Sequence, residues 1–397
     1  MVTIDKIFHA SVVLKDIIRP TPLAKAYGIA EDCALYLKPE CLQKTGSFKL
    51  RGSGYKIAML SDEEKAKGVI ACSAGNNAQG VALAASTCGI SSLICLPDTA
   101  PISKVEATKG YGAQVCLVPG VYDDAYNKAL ELKEEHGYTF VHPFDDEYVI
   151  AGQGTIGLEI MNEMSDVDAV LVPIGGGGLI SGVACAIKSI SPHVKVYGVQ
   201  AAGAPSMYNA IHHGKMEALT SVSTIADGIA VKKPGELTYE MVKNYVDDIA
   251  LVTEDEIAAA ILALIEKQKM IAEGAGAVSV AAAMFHKFPL EGKKVVSLIS
   301  GGNIDVTSLS RVIDRGLMKS GRTTSLLIEL ADKPGQLMEV SRIIAQCGGN
   351  VISVHHERNG ETESINGCYL RLSLETRNYD HVQQITQALR DAGFKIV

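Results

Sequence analysis

Between about residue 35 and residue 320, short β-branched apolar runs alternate with longer stretches of helical periodicity. Strands are expected at Ala34–Leu37, Val69–Cys72, Ser92–Leu96, Gln114–Val118, Ala169–Ile174, Val194–Val199 and Lys294–Ile299. Helices are expected between them, at Ala78–Cys88, Tyr122–Glu135, Leu179–Ser189 and Asp255–Met270. Strands that alternate with helices need crossover connections, which give a mostly parallel sheet covered on both faces. About 285 residues is large for one hydrophobic core, so two α/β lobes with a cleft between them are expected. The smaller lobe spans roughly residues 53–150, inserted in the larger.

A different pattern begins near Lys319. The polar segment KSGRTTS (319–325) reads as a linker. After it come a strand at Ser325–Leu330, a turn at Pro334–Gly335, a helix at Gln336–Gln346 and strands at Asn350–Glu357 and Tyr369–Leu374. A helix at His381–Ala392 and a last strand at Phe394–Val397 complete a ferredoxin-like β-α-β-β-α-β order. The expected division is a catalytic domain at 1–318, a linker at 319–325 and a second domain at 326–397.

Composition narrows the function. With 47% hydrophobic residues the chain has enough apolar material to fold. Its longest apolar run, Ile257–Ile265, stops at Glu266, short of the roughly 20 residues that span a bilayer. The start, MVTIDKIFHASVVLKD, does not read as a signal peptide. A net charge of −8 argues against nucleic acid as a partner. Nine scattered cysteines without a C-x-x-C pair suit neither a disulfide framework nor a zinc motif, and point to a reducing, cytoplasmic setting.

Three glycine-rich segments compete for a phosphate. Gly152-x-Gly154-x-x-Gly157 has the spacing of a dinucleotide fingerprint, but HPFDDEYVI before it is a poor parallel strand. Gly176 stands where that motif needs an acidic residue, so close helix packing is the favoured reading. Gly175-Gly176-Gly177-Gly178 follows the apolar strand AVLVPI and opens a helical segment. Its backbone N–H groups can point at one anion, helped by the helix N-terminus. No Lys-Ser/Thr pair follows, so a small phosphate monoester suits it better than a nucleotide, with a plain tight turn as the alternative. Gly301-Gly302 lies past another strand, where Ser300 would face a ligand crevice or simply serve the turn.

Lys49 stands between Phe48 and Leu50 at the start of a helix in PECLQKTGSFKLRG. A lysine there is ordinarily solvated. If it is buried, desolvation frees the amine as a nucleophile for a carbonyl. A phosphate-bearing aldehyde would unite Lys49 with the tetraglycine loop, and pyridoxal 5'-phosphate is such a molecule.

With GSFKLRG at 46–52, SAGNNAQG at 73–80, GGGGL at 175–179 and SGGN at 300–303, the chain resembles pyridoxal-phosphate enzymes of fold type II (tryptophan synthase β-like). Among these it is most similar to the threonine dehydratases, or threonine ammonia-lyases, over residues 1 to about 320. Through Asp332-Lys333-Pro334-Gly335-x-Leu337 the tail resembles an ACT regulatory domain. The resemblance implies that Lys49 is the Schiff-base lysine, with Phe48 beside the cofactor. Asn76 would bond the ring's phenolic oxygen, Gly175, Gly176, Gly177, Gly178 and Leu179 would hold the phosphate, and Ser300 would face the ring nitrogen. The loop Ser73, Ala74, Gly75 would receive the substrate carboxylate. Glu273 would touch the cofactor region, with helix capping as the alternative.

Three departures from related patterns stand out, at four positions. Asn77 replaces a histidine, so a nearby hydrogen bond should differ. Ala74 replaces the serine that racemases use as a second acid/base. Gln200 and Ser206 replace the carboxylates of members that bind a divalent cation, so no metal is expected there. His212-His213 reads as a loop.

The resemblance implies β-elimination of L-threonine to 2-oxobutanoate and ammonia, with serine as a secondary substrate, in a homodimer or homotetramer. It also implies a branched-chain effector, isoleucine or valine, at Gly335, Gln336, Leu337, Met338, Asn350, Val351 and Ile352. The alternatives are a serine dehydratase, a β-replacing enzyme, a nicotinamide oxidoreductase built on Gly152–Gly157 and a non-catalytic amino-acid sensor.

Overall fold

The computed structural model describes residues 2–357 and 367–397. They form two compact units, 1–304 and 305–397. No described helix is long and apolar enough to cross a membrane.

The first unit holds two sheets. The larger runs, edge to edge, Ala24–Lys25, Ala34–Pro39, Lys294–Ile299, Ala169–Pro173, Lys195–Ala201 and Asp248–Val252. Only the Ala24–Lys25 edge is antiparallel. The smaller runs Gln114–Val118, Ser92–Pro97, Val69–Cys72 and Thr139–Phe140, all parallel. Ala169–Pro173 and Val69–Cys72 are buried along their whole length. Helices cover both faces of such strands, which is why they read as unbroken apolar runs rather than as alternation.

The helix Glu147–Glu163 was not expected. Asp146 caps it, accepting from the N–H groups of Tyr148 and Val149 at 2.8 and 3.1 Å. Its glycines are packing residues: a Cβ would stand 2.4 Å from the Arg51 carbonyl oxygen at Gly152 and 2.9 Å from Ala186 Cβ at Gly157. The fingerprint spacing therefore lets this helix lie close against Lys49–Ala58 and Gly178–Ile190. The helix expected at Asp255–Met270 ends earlier. Glu254–Ala263 passes into one π turn at Leu264–Gln268 and stops at Lys269, whose φ is 57°. His212 and His213 close the helix Ser206–His213 rather than lying in a loop, and His212 stacks on Tyr208 one turn back.

The second unit begins with the helix Val306–Lys319. Its sheet runs Asn350–Glu357, Gly367–Glu375, Thr323–Ala331, Lys395–Ile396, every pair antiparallel. Leu326, Ile328 and Leu330 alternate with less buried residues, as do Cys368, Leu370, Leu372 and Leu374. One face of the sheet is thus covered, by Gln336–Gln346 and Tyr379–Asp391. The polar stretch 319–325 is ordered rather than irregular. Lys319 ends a helix, Gly321 turns with φ 66°, and Thr323 begins a strand. Thr376 fixes the turn, its hydroxyl donating to Gly321 O at 2.6 Å.

Candidate active site

In the first unit the strands Val69–Cys72, Ala169–Pro173 and Lys294–Ile299 all end at one cavity of about 800 Å³. Carboxyl ends of parallel strands are where open α/β sheets place ligands. Phe48, Lys49, the 73–76 loop, the 175–179 loop and Ser300 all line this cavity.

Lys49 is the first residue of its helix. Phe48 N donates to Ser300 O at 3.0 Å and Gly302 N to Gly46 O at 2.9 Å, which stitches the segment before Lys49 to the end of a central strand. Arg51 anchors the same helix. Fully buried, it makes two-point ion pairs with Glu40 (2.8 and 2.8 Å) and Glu159 (2.6 and 2.9 Å). Lys49 Nζ donates to Pro143 O at 2.6 Å. Burial pushes this amine down to about 8, against an opposing pull from Glu273.

Across the cavity, the tetraglycine loop has almost no room for side chains. A Cβ would lie 2.4 Å from the Phe144 ring at Gly176, 2.7 Å from Met207 Cε at Gly177 and 2.7 Å from Phe144 O at Gly178. Gly177 takes φ 99° and caps the helix Gly178–Ile190. Among the described residues, no acceptor takes the N–H of Gly175, Gly176 or Gly177, and a helix's first turn leaves further donors open. Such a set of backbone donors is matched to a phosphate.

Asn76 opens the helix Asn76–Thr87 and joins two distant segments. Its Nδ2 donates to Glu273 Oε1 at 2.6 Å, and its Oδ1 accepts from Asn303 Nδ2 at 2.8 Å. Glu273 makes no capping bond to its own helix, so its side chain serves the cavity. Burial, reinforced by the charge of Asp227, pushes its carboxyl up to about 7, although the Asn76 bond pulls the other way. Ser300 is buried, and its hydroxyl donates to Ala275 O at 3.2 Å. In the 73–75 loop, Gly75 N donates to Ser73 Oγ at 3.1 Å, and a Cβ on Gly75 would meet nothing within 4 Å.

Other residues complete the cavity wall. Asn77 Nδ2 is buried without a hydrogen-bond partner on its wall, an open donor where the changed bond was expected. His142-Pro143-Phe144 forms another wall. Burial, with help from Lys49, lowers the His142 pKa, and its Nδ1 accepts from Asp145 N at 2.7 Å. Lys104 and Asp227, both on the cavity lining, form an ion pair at 2.9 Å. The only advance sign of the His142 wall was the passage HPFDD, whose polar and proline residues made it a poor strand.

The remaining predicted positions lie elsewhere. The Gln200 amide is taken up by backbone, accepting from Tyr208 N at 2.7 Å and donating to Ile174 O at 3.3 Å. In the second unit a cavity of about 430 Å³ is lined by Gly335, Gln336 and Leu337, but not by Met338 or by Asn350, Val351 and Ile352. Asn350 pairs with Glu375 and Leu330 with Cys368, at opposite ends of one strand. Those partners are seven positions apart, about 23 Å at strand rise. The two segments are not brought together within one unit.

Pyridoxal phosphate fits the first cavity on these grounds. It holds a nucleophilic amine, a crowded glycine cradle with open N–H donors, and an uncharged hydroxyl and an amide at separate points of the wall. Comparison with known proteins gives the same chemistry. Residues 14–301 match the family described as pyridoxal-phosphate dependent enzyme. The chain is 50% identical over 398 aligned positions to an L-threonine ammonia-lyase of Thermotoga maritima, covering 100% of this chain and 99% of that one. It is 49% identical over 323 positions to a catabolic L-threonine dehydratase of Staphylococcus aureus, covering 80% and 93%. Among solved structures it resembles the processed form of threonine deaminase isoform 2 from Solanum lycopersicum, with 39% identity, TM-score 0.75 and coverage of 79% and 89%. Maize serine racemase is also similar, with 36% identity, TM-score 0.75 and coverage of 80% and 98%. This chain, through its catalytic unit, belongs to the pyridoxal-phosphate dependent enzyme family.

Proposed function

We propose that the chain is a cytoplasmic threonine ammonia-lyase that converts L-threonine to 2-oxobutanoate and ammonia, with L-serine as a slower substrate. The observation that carries this reading is the meeting of a buried, pKa-lowered Lys49 amine and the glycine cradle in one cavity. Two relatives at 44–50% identity that span nearly the whole chain bear the same activity in their names.

Lys49 would hold the cofactor, Gly175–Leu179 its phosphate, Asn76 its ring oxygen, and Ser300 would face its ring nitrogen beside Phe48. When bound, pyridoxal phosphate supplies an electron sink for charge at the substrate Cα. The Ser73–Gly75 loop, at the start of a helix, receives the substrate carboxylate, on the N–H of Ala74 and on that of Gly75 once it leaves Ser73 Oγ. Lys49 Nζ removes the Cα proton, a task for which an amine near 8 is suited at neutral pH. Hydroxide then leaves Cβ with a proton, and hydrolysis of the released enamine yields the oxoacid and ammonia. Ser300 carries no charge, so it does not hold a proton on the ring nitrogen as an aspartate would. Ala74, on the substrate loop, has no proton to exchange at the opposite face of Cα, which separates this chain from a racemase. None of the nine cysteines is in a disulfide, which accords with a reducing compartment. The second unit we assign to an isoleucine or valine effector.

The purified enzyme, given L-threonine, should release 2-oxobutanoate and ammonia in equal amounts, and from L-serine, more slowly, pyruvate. Added thiol should not divert either into a thioether. Thioether formation would make it a β-replacing enzyme, and absence of any oxoacid would overturn the proposal.

A further inference from the structure

At one end of the ferredoxin-like sheet, three side chains with metal-binding atoms converge from neighbouring strands. Asp332 follows the strand Thr323–Ala331, His356 lies on Asn350–Glu357, and Cys368 lies on Gly367–Glu375. One carboxylate oxygen, one imidazole nitrogen and the sulfur lie within 4.8 Å of one another. His356 Nε2 is 3.0 Å from Cys368 Sγ and 4.0 Å from Asp332 Oδ1. Cys368 is fully buried, whereas Asp332 and His356 line the 430 Å³ cavity.

We infer that Asp332, His356 and Cys368 form a site for a divalent transition ion, zinc being the best chemical match. A thiolate, an imidazole and a carboxylate suit zinc, whereas magnesium and calcium take oxygen ligands alone. With bonds of about 2.3 Å to sulfur and about 2.0 Å to nitrogen and oxygen, tetrahedral edges are about 3.5 Å (S to N) and about 3.3 Å (N to O). The observed 3.0 and 4.0 Å lie on either side of these values. Opening the first by about half an ångström and rotating Asp332 inward reaches them. Asp332 and His356 side chains are 36% and 38% exposed, so both have room to adjust.

The strands fix the rest of the geometry: Leu330 pairs with Cys368, and His356 with Leu370. The Cys368 thiol donates to Leu330 O at 3.5 Å. Zinc replaces the thiol proton, which leaves to solvent, so binding weakens as pH falls. Three protein ligands leave a fourth position, and the cavity gives water or a small anion access to it. No local motif announces the site, because its members are 24 and 12 residues apart on separate strands.

The test uses full-length holoenzyme, stripped of metal and titrated with Zn²⁺ against a chromophoric indicator, followed by X-ray absorption at the zinc edge. One equivalent per chain should bind, with one sulfur at about 2.3 Å. His356→Gln and Cys368→Ala should each weaken zinc at least about tenfold, while cofactor absorbance and threonine turnover stay at the wild-type level. If Cys368→Ala loses the fold, His356→Gln and the sulfur signal decide. Unchanged affinity in His356→Gln, or a zinc shell without sulfur, would overturn the assignment.

Discussion

Lys49 and Glu273 are each pushed toward neutrality by burial, and each opposes that push on the other. At pH 7.5 roughly a quarter of an amine titrating near 8 is free, against about one part in a thousand for an ordinary lysine. Lys49→Ala should reduce ammonia release from threonine at least about a thousandfold, since it removes both the cofactor's anchor and the base. Uptake of pyridoxal phosphate by the apoenzyme, followed by absorbance, should rise about tenfold per pH unit and level off near 8. A rise that continues to pH 10 would mark an ordinary solvated amine. Glu273→Gln removes the charge that holds the amine up, so the break should move to lower pH. Glu273 itself titrates near 7 when folded, against 4.5 as an ordinary carboxyl. The folded apoenzyme therefore binds more protons than the unfolded chain between those values, and stability falls as pH rises through that window. The total loss is about 3 kcal/mol, and urea unfolding of Glu273→Gln should show that slope removed.

At the scale of elements, the Lys49 helix is held from behind by Arg51. Replacing Arg51 by Met strands Glu40, which is wholly buried, and should cost about 3–5 kcal/mol in urea unfolding. The glycine cradle gives a sharper contrast. Gly178→Ala must displace Phe144 backbone and should weaken cofactor binding at least about tenfold, read by dialysis. Gly75→Ala meets open space, so cofactor content and Tm should hold while KM for threonine rises.

These elements were unequally legible. Ala169–Pro173 and Lys294–Ile299 announced themselves because both faces of the strand are buried. Thr139–Phe140 is too short to show a period, and three tight-packing glycines masked the helix Glu147–Glu163 by lowering its helical propensity. Lys49 and the tetraglycine loop were readable as local segments. The chain Asn303–Asn76–Glu273 was not, because its links span 227 and 197 residues and exist only through folding.

For the whole molecule, the division into units confines the proposed chemistry to one of them. Every residue assigned to the reaction precedes Ile304, where the first compact unit ends. A chain truncated after Lys319 should therefore keep threonine turnover, and so should one ending at Ile304, because the helix Val306–Lys319 belongs to the second unit. Full-length enzyme should shift its threonine saturation curve with isoleucine or valine, and threonine should shift effector affinity in return. Both truncated chains should lose that response. Gly335–Met338 and Asn350–Ile352 lie at opposite ends of one sheet, so they can share a ligand only if two copies meet. Met338 and Ile352 are 72% and 58% exposed, an apolar surface suited to such a meeting. Light scattering of the full chain should then give a dimer or tetramer, and Asn350→Ala should weaken the effector response while leaving turnover without effector unchanged. If full-length and truncated enzymes answer every branched-chain amino acid alike, the second unit serves assembly rather than regulation.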